Sequence, residues 1–291
     1  MSRSYLQLSL AALMLATSIP AVAARKAPAS QSRPYVETSY LIAPKQVGDF
    51  ELEGASYDAN QKYSGAGFRY MLKGHQETRF DVYVYPAGRL DPASAVDDGM
   101  KGFRYDIAQA VKQNIYTQVQ ELHDSPFPLS GAEPGDSGPA NDLDAAVMKA
   151  IADTGRVTGH KLQMRFNLQP RDWPMYSSGY LFYKQLYYFK LRASAAQERI
   201  TQESFDSLTD LAARTLIPAL QVANVGECAN ATIYLNPDAT PEQGAVELVR
   251  QSRQHQGYNC HSSAGQAGIE QSRMSAEVIE ITYAADEWKS Q

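Results

Sequence analysis

Catalysis and metal binding start from a few histidines, thiols, carboxylates or hydroxyls held close together, and in this chain such residues are sparse. The five histidines (His75, His123, His160, His255, His261) are far apart, and two of them lie near the only cysteines, Cys228 and Cys260. Two thiolates and two imidazoles are a ligand set for tetrahedral zinc. The spacing argues against that use. Cys228 has no second ligand a few residues away, and the adjacent Cys260 and His261 are awkward as ligands to one ion. A disulfide between Cys228 and Cys260, formed after export to an oxidising compartment, is the simpler expectation, with free thiols the remaining alternative. Closing the intervening loop would contribute about 3–4 kcal/mol.

Serine chemistry has one candidate string. Gly135-Asp136-Ser137-Gly138-Pro139 resembles the stretch around the nucleophile of trypsin-like proteases, but one glycine of that signature is missing. A triad also needs a base and an orienting carboxylate on a double barrel. The nearest upstream histidine, in Leu122-His123-Asp124-Ser125, lacks the residues that surround a protease base, so the string reads as a turn-rich loop. The chain has no Gly-x-Ser-x-Gly elbow, His-Glu-x-x-His pair, Walker loop, dinucleotide fingerprint or Cys-x-x-Cys. No catalytic residue, cofactor or metal is expected on these grounds.

What remains is a surface of tyrosines and cations. Arg69, Tyr83, Tyr85, Arg165, Tyr188, Lys190 and Arg192 alternate with large apolar residues. Suppose that Phe68/Tyr70, Phe80/Val82/Val84, Leu162/Met164/Phe166 and Tyr187/Phe189/Leu191 turn toward helices. The seven polar residues then share the opposite sheet face, with Asp81 its single acid. Tyrosine and arginine recur at recognition sites because they join a large contact area to directed donors. The competing reading is that half-buried sheets alternate this way without a ligand, or that other elements cover the face.

Periodicity supplies the elements that must position these residues. A strand at Phe50–Tyr57 pairs with a hairpin whose arms are Gly67–Leu72 and Phe80–Tyr85, joined through Lys73–Glu77. Asp91 caps a helix with Pro92 at its first position. Val96, Met100, Phe103, Ile107, Val111, Ile115, Val119 and Leu122 then form one apolar stripe over about seven turns, and Gly99 and Gly102 suggest close approach to a sheet. A loop (Ser125–Pro139) and a short helix (Asp142–Ala152) follow. Leu162–Leu168 is a strand, and Gly179–Ala193 reads as a hairpin turning near Lys184-Gln185, one long strand being the alternative. Thr201 caps a helix with Phe205, Leu208, Ala212, Leu216 and Leu220 inward, ending by Pro218. Beyond Ala223 a strand (Thr232–Leu235), a capping box (Thr240 with Gln243), a helix to about His255 and a last strand (Val278–Tyr283) form a small β-α-β appendix carrying both cysteines.

With 291 residues and 44% hydrophobic content the chain can bury a real core, and a net charge of -5 argues against nucleic acid as the main partner. Met1–Ala23 has the layout of a signal peptide: Arg3, the apolar stretch Leu6–Ile19, then Pro20 and Ala21-Val22-Ala23. That stretch is shorter than the roughly 20 residues of a spanning helix, and no membrane span is expected. The expected organisation is signal peptide 1–23, flexible leader 24–38, α+β sandwich 39–222 and disulfide-linked appendix 223–291, with secretion to the periplasm or beyond.

Strand hairpins, a long helix, more antiparallel strands and a closing helix make an α+β fold. Over Ser39–Val222, and in Tyr187-Tyr188-Phe189-Lys190-Leu191-Arg192 before the closing helix, the order resembles the PsbP-like fold. The resemblance implies a sandwich, brings no catalytic or metal motif, and does not extend to the cysteine-bearing tail. The functional expectation is a secreted, non-enzymatic binding module. It would recognise an anionic ligand, an envelope glycan or an acidic protein partner through its Tyr/Arg/Lys sheet face. A secreted hydrolase with a site assembled from distant segments is the alternative.

Overall fold

The computed structural model describes residues 33–129 and 140–288. In chain order the strands are Thr38–Pro44 (β1), Gln46–Val47 (β2), Phe50–Tyr57 (β3), Ala66–Leu72 (β4), His75–Pro86 (β5), Tyr116–Pro128 (β6), Thr158–Leu168 (β7), Trp173–Lys184 (β8), Tyr187–Ala196 (β9), Gln221–Val225 (β10), Cys260–His261 (β11) and Ala276–Thr282 (β12). The helices are Pro92–Lys112 (α1), Asp142–Gly155 (α2), Gln202–Ala219 (α3), Pro241–Gly257 (α4) and Ile269–Ser275 (α5). Eight strands pair antiparallel in the order β2-β3-β4-β5-β9-β8-β7-β6. A second sheet has the order β11-β10-β1-β12.

The alternation of β4, β5 and β9 builds one core. Phe68, Tyr70, Phe80, Val82, Val84, Phe189 and Leu191 are buried with Phe205, Ala212 and Leu216 of α3, and with Leu41 and Val222 of the smaller sheet. The Tyr70 hydroxyl donates to the Pro44 carbonyl at 2.7 Å, joining the two sheets. Thr201 caps α3 through the Ser204 N–H, and Thr240 and Gln243 form the expected capping box of α4. The β8–β9 hairpin turns on Gln185 and Leu186, both at positive φ (54° and 68°). A primed two-residue turn normally recruits Asn or Gly. Here the side chains are held by tertiary contacts instead: Leu186 is buried, and Gln185 Oε1 accepts the Val222 N–H at 2.7 Å.

The other face of the large sheet carries a second core, in which Ala95, Val96, Met100 and Phe103 of α1 pack on Leu162, Met164, Phe166 and Leu181. α1 sits close to the sheet. A Cβ at Gly179 would lie 2.1 Å from the Phe103 ring, and one at Gly99 would lie 2.5 Å from Leu181, whereas Gly102 faces open space. The expected close approach therefore holds at Gly99 and not at Gly102.

The long helix expected to reach Leu122 ends at Lys112. Asn114 takes a left-handed conformation (φ 53°), and the chain returns as β6. Bulges between Thr117 and Gln120, and between Glu121 and His123, each add a residue to β6 against β7. The apolar spacing of Tyr116, Val119 and Leu122 thereby becomes three, which imitates a helix. The phasing of β7 is also corrected. Leu162, Met164 and Phe166 turn to α1, not to the core shared by Phe68 and Phe80, because both sheet faces are buried and alternation alone does not say which is which.

Residues 232–235 are not a strand. Tyr234 is held instead by the Gln251 side chain, which accepts its N–H (3.0 Å) and donates to its carbonyl (2.7 Å). Residues 33–37 are docked, with Val36 buried and the Glu37 N–H donating to the Val225 carbonyl. Residues 223–288 supply β11 and β12 to the smaller sheet, where β12 runs antiparallel to β1. Cys228 and Cys260 form a disulfide across a separation of 32 residues. Fold class is as expected: α+β, an antiparallel sheet with amphipathic helices packed on it. The expected signal peptide and Gly135–Pro139 lie outside the described residues.

Candidate functional site

Six of the seven predicted residues share the α1 face: Arg69, Tyr83, Tyr85, Tyr188, Lys190 and Arg192. Direct pairs place them together, with Arg69 opposite Asp81, Tyr83 opposite Lys190, and Tyr85 opposite Tyr188. Arg165 is on the other face, paired with Tyr176, and its Nε donates to Gln120 Oε1 at 2.8 Å. It is separated from the rest for the same reason that β7 was misphased.

α1 covers part of this face, and the tyrosines beneath it are structural. The Tyr188 hydroxyl donates to the Ala95 carbonyl at 2.8 Å, and Tyr85 packs on Tyr188 with ring centroids 5.4 Å apart. Burial raises the Tyr85 hydroxyl well above its ordinary range. Lys190 is committed as well. Its Nζ lies 3.3 Å from Asp106, with the Tyr83, Tyr85 and Phe103 rings 5.3–5.8 Å away. Burial lowers its pKa while the Asp106 carboxylate opposes the shift. Arg69 is bonded to Asp81 at 2.8 Å.

Past the edge of α1 the same face opens into a cleft of ≈ 690 Å³. Arg79, Arg192 and Arg199 line it, with Tyr83, Tyr116 and Trp173. Arg192 donates to the Tyr116 hydroxyl at 3.2 Å, and Tyr116 is stacked on Phe166. Among the described residues, neither Arg79 nor Arg199 makes an ion pair or a side-chain hydrogen bond. Trp173 is 49% exposed. Carboxylates line the cleft too, so the face is less positive than expected. Asp81 is taken by Arg69, and Glu77 is 3.0 Å from His75. A backbone N–H, then His75, hold the Glu77 carboxyl below its ordinary value. Glu198 is the third acid. The cleft thus sets aromatic rings beside three guanidinium groups: Arg192 is held by the Tyr116 hydroxyl and the Phe103 ring, Arg199 acts on the Glu77 carboxylate through space, and Arg171 lies over Trp173.

Arg79 was accessible to sequence reasoning, since it keeps the period-2 register of Asp81, Tyr83 and Tyr85. Tyr116 was concealed by the helix reading of β6. Arg199 and Trp173 come from the ends of strands and turns, where no periodicity marks them.

The structure also brings Ser125 Oγ within 2.8 Å of His123 Nε2. Residues two apart on a strand lie on one face, so the contact follows from β6 itself. No described residue hydrogen-bonds the other ring nitrogen of His123, and neither residue lines the cleft above. His160, in turn, is bonded to Asp124, which Arg104 also contacts. The disulfide consumes both thiols that a zinc site would have needed, and no cluster able to hold a metal is found among the described residues.

No protein-family model and no curated protein matches the chain. It is similar to the solution structure of cyanobacterial PsbP (CyanoP) from Synechocystis sp. PCC 6803. Identity is 10%, covering 64% of this chain and 93% of that one, with a TM-score of 0.36. The likeness is one of topology, and no residue role comes with it.

Proposed function

We propose that this chain is an extracytoplasmic, non-enzymatic binding module whose ligand is anionic and lies in the cleft of Arg79, Arg192 and Arg199. One observation carries the reading: Arg79 and Arg199 make no ion pair or side-chain hydrogen bond among the described residues, and they line one cleft with the half-exposed Trp173, whose ring has the further cation Arg171 4.8 Å from its centroid. Cations that the protein leaves unneutralised attract an anion, and aromatic faces beside them favour a ligand with flat apolar surface, which an acidic sugar chain has. The Cys228–Cys260 disulfide supports an oxidising compartment, and no helix among the described residues is long and apolar enough to cross a membrane.

Calorimetric titration with an oligogalacturonate and with a neutral oligosaccharide of equal length tests the reading. Saturable binding of the acidic chain is expected, weakened about tenfold or more by Arg79→Glu with Arg192→Glu. Equal binding of both sugars, or of both proteins, would refute it.

A further inference from the structure

A second hollow, of ≈ 680 Å³, lies between the first turns of α1, the β8–β9 hairpin and the end of α4, and shares no residue with the arginine cleft. Val96, Pro126, Val157, Tyr183 and Tyr258 give it an apolar wall. The Tyr183 hydroxyl is already used, donating to the Gly88 carbonyl (2.8 Å) and accepting from the Leu90 N–H (3.1 Å). Its volume is that of a small-molecule site.

The charges on its rim are unbalanced. Arg156, just past α2, and Arg253, near the end of α4, line the hollow and are exposed. Neither has an ion pair or a side-chain hydrogen bond among the described residues. The other basic side chains are committed: Lys184 Nζ donates to the Leu220 carbonyl at 2.6 Å, and His160 is bonded to Asp124. Asp97 is the one carboxylate in the lining. An apolar wall under two unneutralised guanidinium groups is complementary to a molecule with an apolar body and an anionic head.

We propose that this hollow binds an amphipathic anion, a single acyl chain with a carboxylate or phosphate head. Arg156 and Arg253 hold the head, and the chain lies along Val96, Val157 and Tyr258. The site is separate from the arginine cleft and does not depend on its ligand.

Titration calorimetry of the full chain with oleate, oleoyl lysophosphatidate and uncharged monoolein tests this. Oleate or the lysophosphatidate is expected to bind saturably at one site, with monoolein at least about tenfold weaker. The tighter of the two anions identifies the head group, carboxylate or phosphate. Arg156→Glu with Arg253→Glu should weaken the anions by at least about tenfold and leave monoolein unchanged, and Arg156→Gln with Arg253→Gln should fall between. Arg79→Glu with Arg192→Glu should bind the acyl anions as the native chain does, which separates this site from the sugar-binding reading. Both arginines also stand near helix C-termini, where a cation complements the dipole. If that were their whole role, the Glu variants would melt lower and bind oleate undiminished. That result, or no saturable binding of either anion, would overturn the proposal.

Discussion

The two faces of the eight-stranded sheet are built from the same strands and the same alternation, yet they treat their polar residues differently. On the α3 face the charged and amide groups beneath the helix are met from above, although the buried Thr78 and Ser178 hydroxyls are not. Lys161 Nζ lies 2.5 Å from Asp210, the Tyr180 hydroxyl donates to the same carboxylate at 2.5 Å, and Gln163 donates to Asp206 at 2.5 Å. On the α1 face the helix satisfies only what it covers. Lys190 receives Asp106 and Tyr188 receives the Ala95 carbonyl, while Arg79 and Arg199, beyond the helix edge, receive no ion pair or side-chain hydrogen bond from the described residues. The difference teaches that alternation sets which residues share a face, and the element packed above decides whether they are structural or free for a ligand.

The largest expected effect concerns what keeps the α3 face covered. The disulfide ties the turn just after β10 to the start of β11 beside the core, so Cys228→Ser with Cys260→Ser should lower stability by about 3–4 kcal/mol in denaturant unfolding. A loss below about 1 kcal/mol would show that the smaller sheet stays docked without it. Asp210→Ala leaves Lys161, only 8% exposed, without its ion-pair partner and removes one of the two acceptors of the Tyr180 hydroxyl, the other being Thr209. It should cost about 2–3 kcal/mol, while Arg79→Ala on the open face should change stability by less than about 0.5 kcal/mol. Equal costs at the two positions would break the contrast between the faces.

A pH-dependent effect follows from Lys184, which faces the α3 side of the sheet. Burial lowers its pKa from the ordinary 10.5 to about 7. Below pH 7 the ammonium is charged in both folded and unfolded chains, and the cost of burying it is fully present. Above pH 7 the folded chain has released the proton while the unfolded chain still holds it, so stability rises with pH. Above about pH 10 the trend reverses, because buried Tyr70 and Tyr187 have raised hydroxyl pKa values and ionise only on unfolding. Between pH 7 and 9.5 the native chain should gain up to about 3 kcal/mol, and Lys184→Met should remove the gain. Thermal melts of both proteins across that range check it.

Much of this fold was legible in the residues. The β4–β5 hairpin, the Thr201 cap and the Thr240–Gln243 capping box each follow from a local physical requirement, the disulfide follows from the expected export to an oxidising compartment, and the turn after Lys184 was placed by the strand pattern on either side of it. β6 was not legible, because two bulges converted a strand into helical spacing. Nor was the facing of Leu162, Met164 and Phe166, which depends on which layer lies above a sheet buried on both sides. The site was read in part. Tyr83 and Arg192 came from the alternation, but Trp173 and Arg199 enter from turns, which only the three-dimensional packing brings to the cleft.

The arginine cleft places its anionic ligand on the α1 face of the large sheet and not on the α3 face. Trp173, 49% exposed at the cleft, reports on it by fluorescence, while Trp288 is 7% exposed and packed on Tyr283. Titrating oligogalacturonate into the native chain should change Trp173 emission saturably. Arg165→Glu, on the opposite face, should leave the midpoint unchanged, and Arg192→Glu should raise it about tenfold. Equal weakening by the two variants, or no change in emission, would contradict the account.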